Sequence, residues 1–564
     1  MQILALVLCA LAVSTSASKI AIFTPQHSSS QVIYNKRVAE ELAKAGHDVT
    51  LILLKNVMAT HSPVHVHPNV TVWNIDAAAQ STRNMNTKLR DRTFTDIPIW
   101  DLRTLTSYRR FSDVFVSSCE KIVQNNEFLK RLTDARFDVA FAHMYDFCPI
   151  GLIHYAKIPT WIWLNSGVLN DLVAHDVGVH SPSSYVPAMM VDASDAMSFG
   201  ERLKSQVARF LFTQLYPWSV ADPETELFRK HIDPQFPDLR ELGKQCPLVM
   251  VNSNELYDLP RPILHKVVYI GGIGMKKVDA KPLEAEFKEL VETAEKVVLM
   301  SFGSVAHAPD MPNSWKKAFM GAFAKFPDVK FIVRYAADDL KDVASKNVHF
   351  SEWIPQSDLL QHPKTAAFIT HGGYNSLQEA IIAGKPLITI PLFGDQPRNA
   401  RIAQKHGIGY LITKAEVTEE NLVKALKAVL TEEKYSVAAK HGIGYLITKA
   451  EVTEENLVKA LKAVLTEEKY SMAAVRLRYM LEKKPIAPET LLTRWTEFLV
   501  EFKTLDNLVP HGTKLGFVQY HNIDVMIAIV SVLGALLFIL FKFLQMSYRC
   551  VLFVVRNGRK LKEN

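Results

Sequence analysis

The feature that most limits the fold is one 29-residue stretch, FITHGGYNSLQEAIIAGKPLITIPLFGDQ, from Phe368 to Gln396. Thr365 to Thr370 is a short apolar run that stops at His371-Gly372-Gly373, and it reads as a buried strand. Leu377, Ala380 and Ile381 then recur at helical spacing, until Gly384, Lys385 and Pro386 stop the helix. Leu387 to Pro391 is a second apolar run and the next strand. Strand, glycine turn, helix and strand form the unit of a parallel sheet, so the sequence predicts an α/β fold.

The turn carries the chemistry. Gly372 and Gly373 let the backbone approach a ligand, and the following helix offers unpaired N–H groups and a positive dipole end that suit a phosphate. His371, Asn375 and Ser376 add polar side chains at the same end. Glu379 lies one turn further on, where a carboxylate can accept from two neighbouring hydroxyls. Asp395 and Gln396 follow the next strand at its carboxyl end, where open α/β sheets bind ligands. Phosphate donors, a diol acceptor and a second polar pair describe a nucleotide-sugar site.

This stretch resembles the signature of the UDP-glycosyltransferases, in particular the animal UDP-glucuronosyltransferase type. His371, Gly373, Ser376, Glu379, Pro386, Pro391, Asp395 and Gln396 stand at matching positions, and the resemblance runs from Lys19 to the C-terminal tail. It implies the GT-B architecture: two Rossmann-like domains whose parallel sheets face a cleft, plus one C-terminal transmembrane helix. It implies an enzyme that transfers a sugar from a UDP-sugar to a hydroxyl of small lipophilic acceptors, with inversion. UDP-glucuronate is the first candidate donor; a UDP-glucosyltransferase of the same fold, or a non-catalytic paralogue that binds UDP-sugar or a lipophile, is the alternative. The UDP-sugar is a co-substrate; no cofactor and no metal are expected, and the chain has no Asp-x-Asp motif of the metal-dependent single-domain type.

The resemblance also assigns roles. His27 matches the catalytic histidine, a general base for the acceptor hydroxyl. The carboxylate that orients it is expected six residues after Phe137, where this chain has His143; Asp146, three residues on, is the candidate substitute. Trp353 would stack on uracil, with Gln356 at the polar edge of the base. His371, Gly373, Asn375 and Ser376 would cradle the diphosphate, Glu379 would hold the ribose diol, and Asp395 and Gln396 would hold sugar hydroxyls. Arg398 is near in sequence to meet a glucuronate carboxylate, or equally to pair with a surface acid.

Elsewhere, Lys19–Phe23, a helix over Gln31–Ala45 and Val49–Leu54 make a βαβ start without a dinucleotide glycine fingerprint, and they put His27 at the carboxyl end of strand one. Phe137–Ala142, Pro159–Leu164 and Leu248–Asn252 are further strands, the last read as closing the first sheet. Residues 80–135 read as helical and irregular, without evident chemistry. The aromatics between Ala196 and Phe228 read as core, with some as candidate walls of an acceptor pocket. Glu255–Pro282, with its prolines and glycines, reads as the interdomain linker. Val297–Met300 opens a second sheet and ends in Ser301-Phe302-Gly303-Ser304, where Ser301, Gly303 and Ser304 offer hydroxyls and N–H groups to a diphosphate. The expected domains are an acceptor domain at 19–265, a linker at 266–292 and a UDP-sugar domain at 293–500.

The formal charge is +7, and most of that excess lies in the last 23 residues, so it reports a membrane-flanking tail and no affinity for nucleic acid. Residues 1–18 read as a signal peptide ending in Ser16-Ala17-Ser18. Val525–Phe541 is free of charge and extends to Leu544 if Lys542 snorkels, giving a single-pass span at 525–544 and a basic cytosolic tail at 545–564. Lys560 to Asn564 resembles a dilysine endoplasmic-reticulum retrieval signal or acts only as a charge stop. The expected location is the endoplasmic reticulum membrane, type I, with the catalytic domains lumenal and a homo-oligomer left open. Asn69-Val70-Thr71 is the one sequon, with Asn69 the expected glycosylation site. Cys119, Cys148 and Cys246 allow at most one lumenal disulfide, and none is assigned.

Lys405–Ser436 recurs without a change at Lys440–Ser471. Two copies are too few for a solenoid. Only one can fill a single place in the fold.

Overall fold

The structure, a computed structural model, describes residues 17–58, 65–79, 93–95, 102–275, 282–431 and 472–560. They form two units, one running to Leu508 and one from Val509 onward.

The first unit holds two parallel sheets. The N-terminal sheet has seven strands in the order β3-β2-β1-β4-β5-β6-β7. They are β1 (Lys19–Pro25), β2 (Asp48–Lys55), β3 (Val70–Asp76), β4 (Val139–His143), β5 (Trp161–Asn165), β6 (Leu248–Val251) and β7 (Val267–Tyr269). All its pairings are parallel. A parallel sheet is covered on both faces, so its central strands are apolar throughout rather than alternating. Thus Ile20, Ala21, Ile22 and Phe23 are all fully buried, on opposite sides of the sheet in two different core clusters.

The C-terminal sheet has six strands in the order β10-β9-β8-β11-β12-β13. They are β8 (Lys296–Ser301), β9 (Val329–Arg334), β10 (Val348–Ser351), β11 (Thr365–Thr370), β12 (Leu387–Thr389) and β13 (Gly409–Leu411). Two parallel doubly wound sheets, packed in one unit, make the GT-B architecture.

The helices that matter below are α1 (Ser29–Lys44), α2 (Leu102–Val123), α3 (Cys148–Tyr155), α4 (Phe199–Tyr216), α5 (Asp222–His231), α6 (Tyr374–Ala383), α7 (Gln396–Lys405), α8 (Glu419–Thr431), α9 (Pro488–Phe502) and α10 (Ile523–Lys560). Helix α9 returns to the N-terminal sheet: Leu492 and Leu499 are fully buried in the cluster that holds Ile20, Val38 and Leu42.

Several expectations need correction. Leu248–Val251 does not close the first sheet; Val267–Tyr269, inside the stretch read as linker, pairs with it as the seventh strand. Its three residues are too few to show a period among the surrounding prolines. Cys119 and Cys148 form a disulfide that ties α2 to the start of α3, leaving Cys246 buried and free. The aromatics of α4 divide: Tyr216 is core, whereas Phe199 and Phe210, with Trp218 beyond the helix, are exposed.

The first copy of the repeat supplies β13, which pairs with β12, and α8, whose Leu422, Ala425 and Leu426 are fully buried. The second copy lies outside the described residues, as do most of the expected signal peptide and the last four residues of the tail. In the second unit, α10 runs well past the expected span and takes in most of the tail; Ile523–Phe553 is long and apolar enough to cross a membrane.

Candidate active site

Each sheet ends in a turn where its strand carboxyl ends meet the other domain. In the C-terminal domain β8 delivers Ser301-Phe302-Gly303-Ser304 and β11 delivers His371-Gly372-Gly373 side by side, because the two strands pair from Thr365↔Val297 to Thr370↔Ser301. The His371 imidazole is wedged between the two turns. A Cβ on Gly303 would lie 2.7 Å from its Cε1, and one on Gly373 would lie 2.7 Å from its Nε2. Gly303 also has a φ of +76°, which an L side chain rarely adopts. Burial pulls the His371 pKa down to about 4, so the ring is neutral.

Around that ring stand most of the expected donor residues. The Ser301 hydroxyl accepts from the Gly303 N–H (3.2 Å). Gln356 donates to Ser376 Oγ (3.2 Å) and to Glu379 Oε2 (2.8 Å). Asn375 accepts from Asn252 Nδ2 (3.0 Å) and donates to the Ser30 carbonyl (2.9 Å). Ser304 Oγ accepts from the Ser29 N–H (3.2 Å). Trp353 is half exposed and lies beneath the Arg334 guanidinium, 4.5 Å from its centroid. Asp395 Oδ2 accepts from Asn399 (2.8 Å), and Gln396 uses its carbonyl to hold the Leu392 and Phe393 N–H groups (2.8 and 3.0 Å).

The opposite wall comes from β1 and β4. The β1–α1 turn is pinned by a buried chain in which Gln31 donates to Asn35 (3.0 Å) and Asn35 to Thr24 Oγ1 (2.9 Å). It carries His27, which is buried against the edge of the Tyr145 ring (centroids 4.3 Å) and near Phe115 of α2 (5.8 Å). The same turn continues into Ser29 and Ser30, which touch both glycine turns of the other domain. Burial lowers the His27 pKa to about 4, and its Nδ1 is buried without a partner. Tyr145 in turn bonds Ser166 (2.9 Å) and feels the charge of Asp395.

His143 ends β4 and is fully buried; burial and the neighbouring His27 lower its pKa to about 3. Its Nδ1 accepts from the Tyr145 N–H (3.3 Å), so the proton sits on Nε2, which points towards Asp146 Oδ2 at 3.8 Å. That distance is too long for a hydrogen bond. Asp146 instead uses Oδ1 on the Cys148 N–H (3.1 Å) at the start of α3, and burial pushes its pKa up to about 7. Glu224 of α5 is buried beside it, holding the Phe147 N–H (2.9 Å), with its pKa pushed well up by burial and by Asp146.

Arg398 is not available to a sugar and is not on the surface. It is buried and paired with Asp258 at 2.9 Å. Asn69 is exposed at the entrance to β3. The sequence did not single out Tyr145, Phe115, Glu224 or Arg37. Their apolar or amphipathic helical settings look like ordinary core or surface, and only the fold brings them to the cleft.

A GT-B fold with a nucleotide-sugar turn at the domain boundary defines a glycosyltransferase. The family model described as UDP-glucoronosyl and UDP-glucosyl transferase matches residues 20–439 and 436–560, and the chain belongs to that family. The two matched segments meet between the two copies of the repeat. The Caenorhabditis elegans protein ugt-48 is 27% identical over 94% of this chain and 95% of its own length. Human UDP-glucuronosyltransferase 1A8 is 26% identical over 79% of this chain and 76% of its own. Among solved structures, the glycotransferase of kitacinnamycin superposes with a TM-score of 0.51 at 17% identity, covering 86% of this chain and 99% of that one, a likeness of fold. The protein is a UDP-glycosyltransferase.

Proposed function

We propose that the enzyme transfers glucuronate from UDP-glucuronate to a hydroxyl of a small lipophilic acceptor with inversion, using His27 as general base and no metal. The observation that carries this reading is the β1–α1 turn. His27 lies two residues from the Ser29 N–H that meets Ser304 and three from the Ser30 carbonyl that meets Asn375. The imidazole therefore stands on the same turn whose next residues touch the donor domain, which supports its placement beside a sugar held there. The matching relatives include proteins named as UDP-glucuronosyltransferases, which favours glucuronate.

In the proposed reaction His27, neutral because it is buried, takes the acceptor proton as the hydroxyl oxygen attacks the anomeric carbon and the UDP oxygen leaves. Uracil would stack on Trp353 and Glu379 would take the ribose hydroxyls. The N–H groups of the Gly303 and Gly373 turns, with Asn375 and Ser376, would receive the charge growing on the diphosphate. Asp395 and Gln396 would hold the sugar. His143 and Asp146 would stand beside His27 in place of the single carboxylate that the family resemblance implies, with no hydrogen bond from either to the His27 ring in this geometry. The proposed setting is the endoplasmic reticulum membrane, with α10 as the anchor, the catalytic unit lumenal and Asn69 glycosylated.

A second reading, UDP-glucose as donor, is favoured by one observation: the burial of Arg398 against Asp258 removes the cation nearest in sequence for a glucuronate carboxylate. UDP release from the membrane-bound protein, measured with a panel of small phenols and each UDP-sugar separately beside His27→Ala, decides between them. Release with UDP-glucuronate that disappears in the variant is the expected result. Release only with UDP-glucose moves the assignment to the second reading. No release with either, while UDP still binds, refutes catalysis for these acceptors.

A further inference from the structure

The donor turns are short of positive charge. A UDP-sugar brings a diphosphate, yet the described polar side chains assigned to the donor on the two turns and the helices behind them are hydroxyls, amides and the carboxylates Glu379 and Asp395, and His371 itself is neutral. Arg334 stands at the outer end, face-on to the Trp353 ring. Among the described residues one further guanidinium reaches this group, and it comes from the other domain. Arg37, on the inner face of α1, spans the cleft and donates through Nη2 to Glu379 Oε1 at 3.0 Å. The second oxygen of Glu379 is held by Gln356.

Two details bear on Arg37, and its place against the donor-side Glu379 separates it from Arg398, whose Nη1 is also buried without a partner but which pairs with Asp258. Its Nη1 is buried in the cleft without a hydrogen-bond partner, although a guanidinium is forked and usually uses both ends. An unpaired buried donor is costly, on the order of 1–3 kcal/mol. Its stem also has a place made for it. Gly274 follows β7 with a φ of +63°, and a Cβ there would approach the Arg37 Cβ and Cγ to 3.1 Å. The glycine leaves room for the side chain to lie flat and point at Glu379.

From this geometry we infer that Arg37 is a donor-binding residue supplied by the N-terminal domain. One end of its guanidinium is anchored on Glu379, which Gln356 also holds, and the free Nη1 end receives the diphosphate of the UDP-sugar. The inference rests on the donor site proposed above and adds a residue to it from across the cleft. It gives the bound nucleotide contacts to both domains, so donor binding and cleft geometry depend on one side chain. It also separates the nucleotide into two parts, a uridine held within the C-terminal domain and a diphosphate held in part by Arg37.

That separation supplies the test. Affinities for UDP and for uridine are measured by calorimetry on the detergent-solubilised full-length protein, for the parent, Arg37→Ala and Arg37→Lys. Loss of one charge-assisted contact is expected to weaken UDP by about 10- to 100-fold in Arg37→Ala while uridine changes less than about threefold. Arg37→Lys, which keeps a point charge without the fork, is expected to recover part of the loss and guards against misfolding of the alanine variant. A role confined to tying the domains predicts a lower melting temperature with an unchanged UDP-to-uridine ratio, and that result overturns the inference. Unchanged UDP affinity in both variants also overturns it. A parent protein that binds no UDP removes the donor site itself, and this inference with it.

Discussion

Arg398 of α7 and Asp258, which follows β6, are paired at 2.9 Å across the domain boundary with both side chains almost wholly excluded from water. Asp258 also accepts from Ser253 Oγ (3.0 Å), and Ser253 bonds Tyr374 at the start of α6. A buried pair of this kind adds little over an apolar pair but is costly to break, because the surviving charge stays buried. Asp258→Ala is therefore expected to cost about 3–5 kcal/mol and to lower the melting temperature by about 5–10 °C. The double replacement Asp258→Leu with Arg398→Met is expected to cost less than the single one. Thermal melts of the three proteins check this, and a double variant no better than the single one contradicts it.

The two glycines around His371 should not be interchangeable with alanine. In both Gly303→Ala and Gly373→Ala the new Cβ falls 2.7 Å from the ring, and the ring must move away from both turns. Gly303→Ala also places an alanine at a φ of +76°, worth about 1–2 kcal/mol of strain. UDP affinity should fall at least about tenfold in each, with Gly303→Ala the less stable of the two. Calorimetry and melting curves measure the two effects separately.

The pH dependence of turnover should report a buried histidine. With its pKa near 4, His27 is already deprotonated well below the usual histidine range. The acid limb of kcat/KM is expected at about pH 4, and a limb near pH 6.5 would mean that the base is a solvated imidazole.

Stability carries the same signature through His143. Its folded pKa of about 3 lies below its unfolded value, so the folded state binds fewer protons than the unfolded chain between those two values. Its contribution is complete above about pH 6.5 and is lost as the pH falls towards 3. Asp146 works in the opposite direction, since its raised pKa of about 7 favours the folded state when it is protonated. To isolate the histidine, the parent should be compared with His143→Gln. The parent should lose stability relative to the variant between pH 6.5 and pH 4, by on the order of 3 kcal/mol. A difference that does not change with pH would show that His143 is not held neutral.

One copy of the duplicated segment should suffice. The first copy already fills the edge of the C-terminal sheet with β13 and covers it with α8. Deleting residues 437–471 joins Ser436 to Met472 and leaves the unit present once. The deletion protein is expected to keep its UDP affinity and to melt within a few degrees of the parent; loss of either would assign the second copy a structural part.

The strands and the glycine turn of the C-terminal domain were legible because a parallel strand buried on both faces is a bare apolar run, and a turn that admits phosphate needs glycine. Thr365–Thr370 was read without a residue of error for that reason. Four of the N-terminal strands, β1, β2, β4 and β5, were read to within two residues by the same signal, whereas β3, an edge strand with alternating burial, was not read. Besides that half-buried edge strand, what escaped was short or long-range. Strand β7 has three residues and no period, and Cys119 and Cys148 approach only when α2 crosses beside α3.

The two parallel sheets, the nucleotide-sugar turn, the family and the apolar C-terminal helix are encoded locally along the chain. Each of these is written in local periodicity or in a contiguous motif. Which charges meet depends on packing between distant segments. It turned Arg398 inward to Asp258, brought Arg37 across to Glu379, and set Glu224 beside Asp146. A charged side chain in a helix has the same local appearance whether it faces water or a carboxylate hundreds of residues away. Only tertiary packing, within a domain or between the two, removes the water and makes the difference.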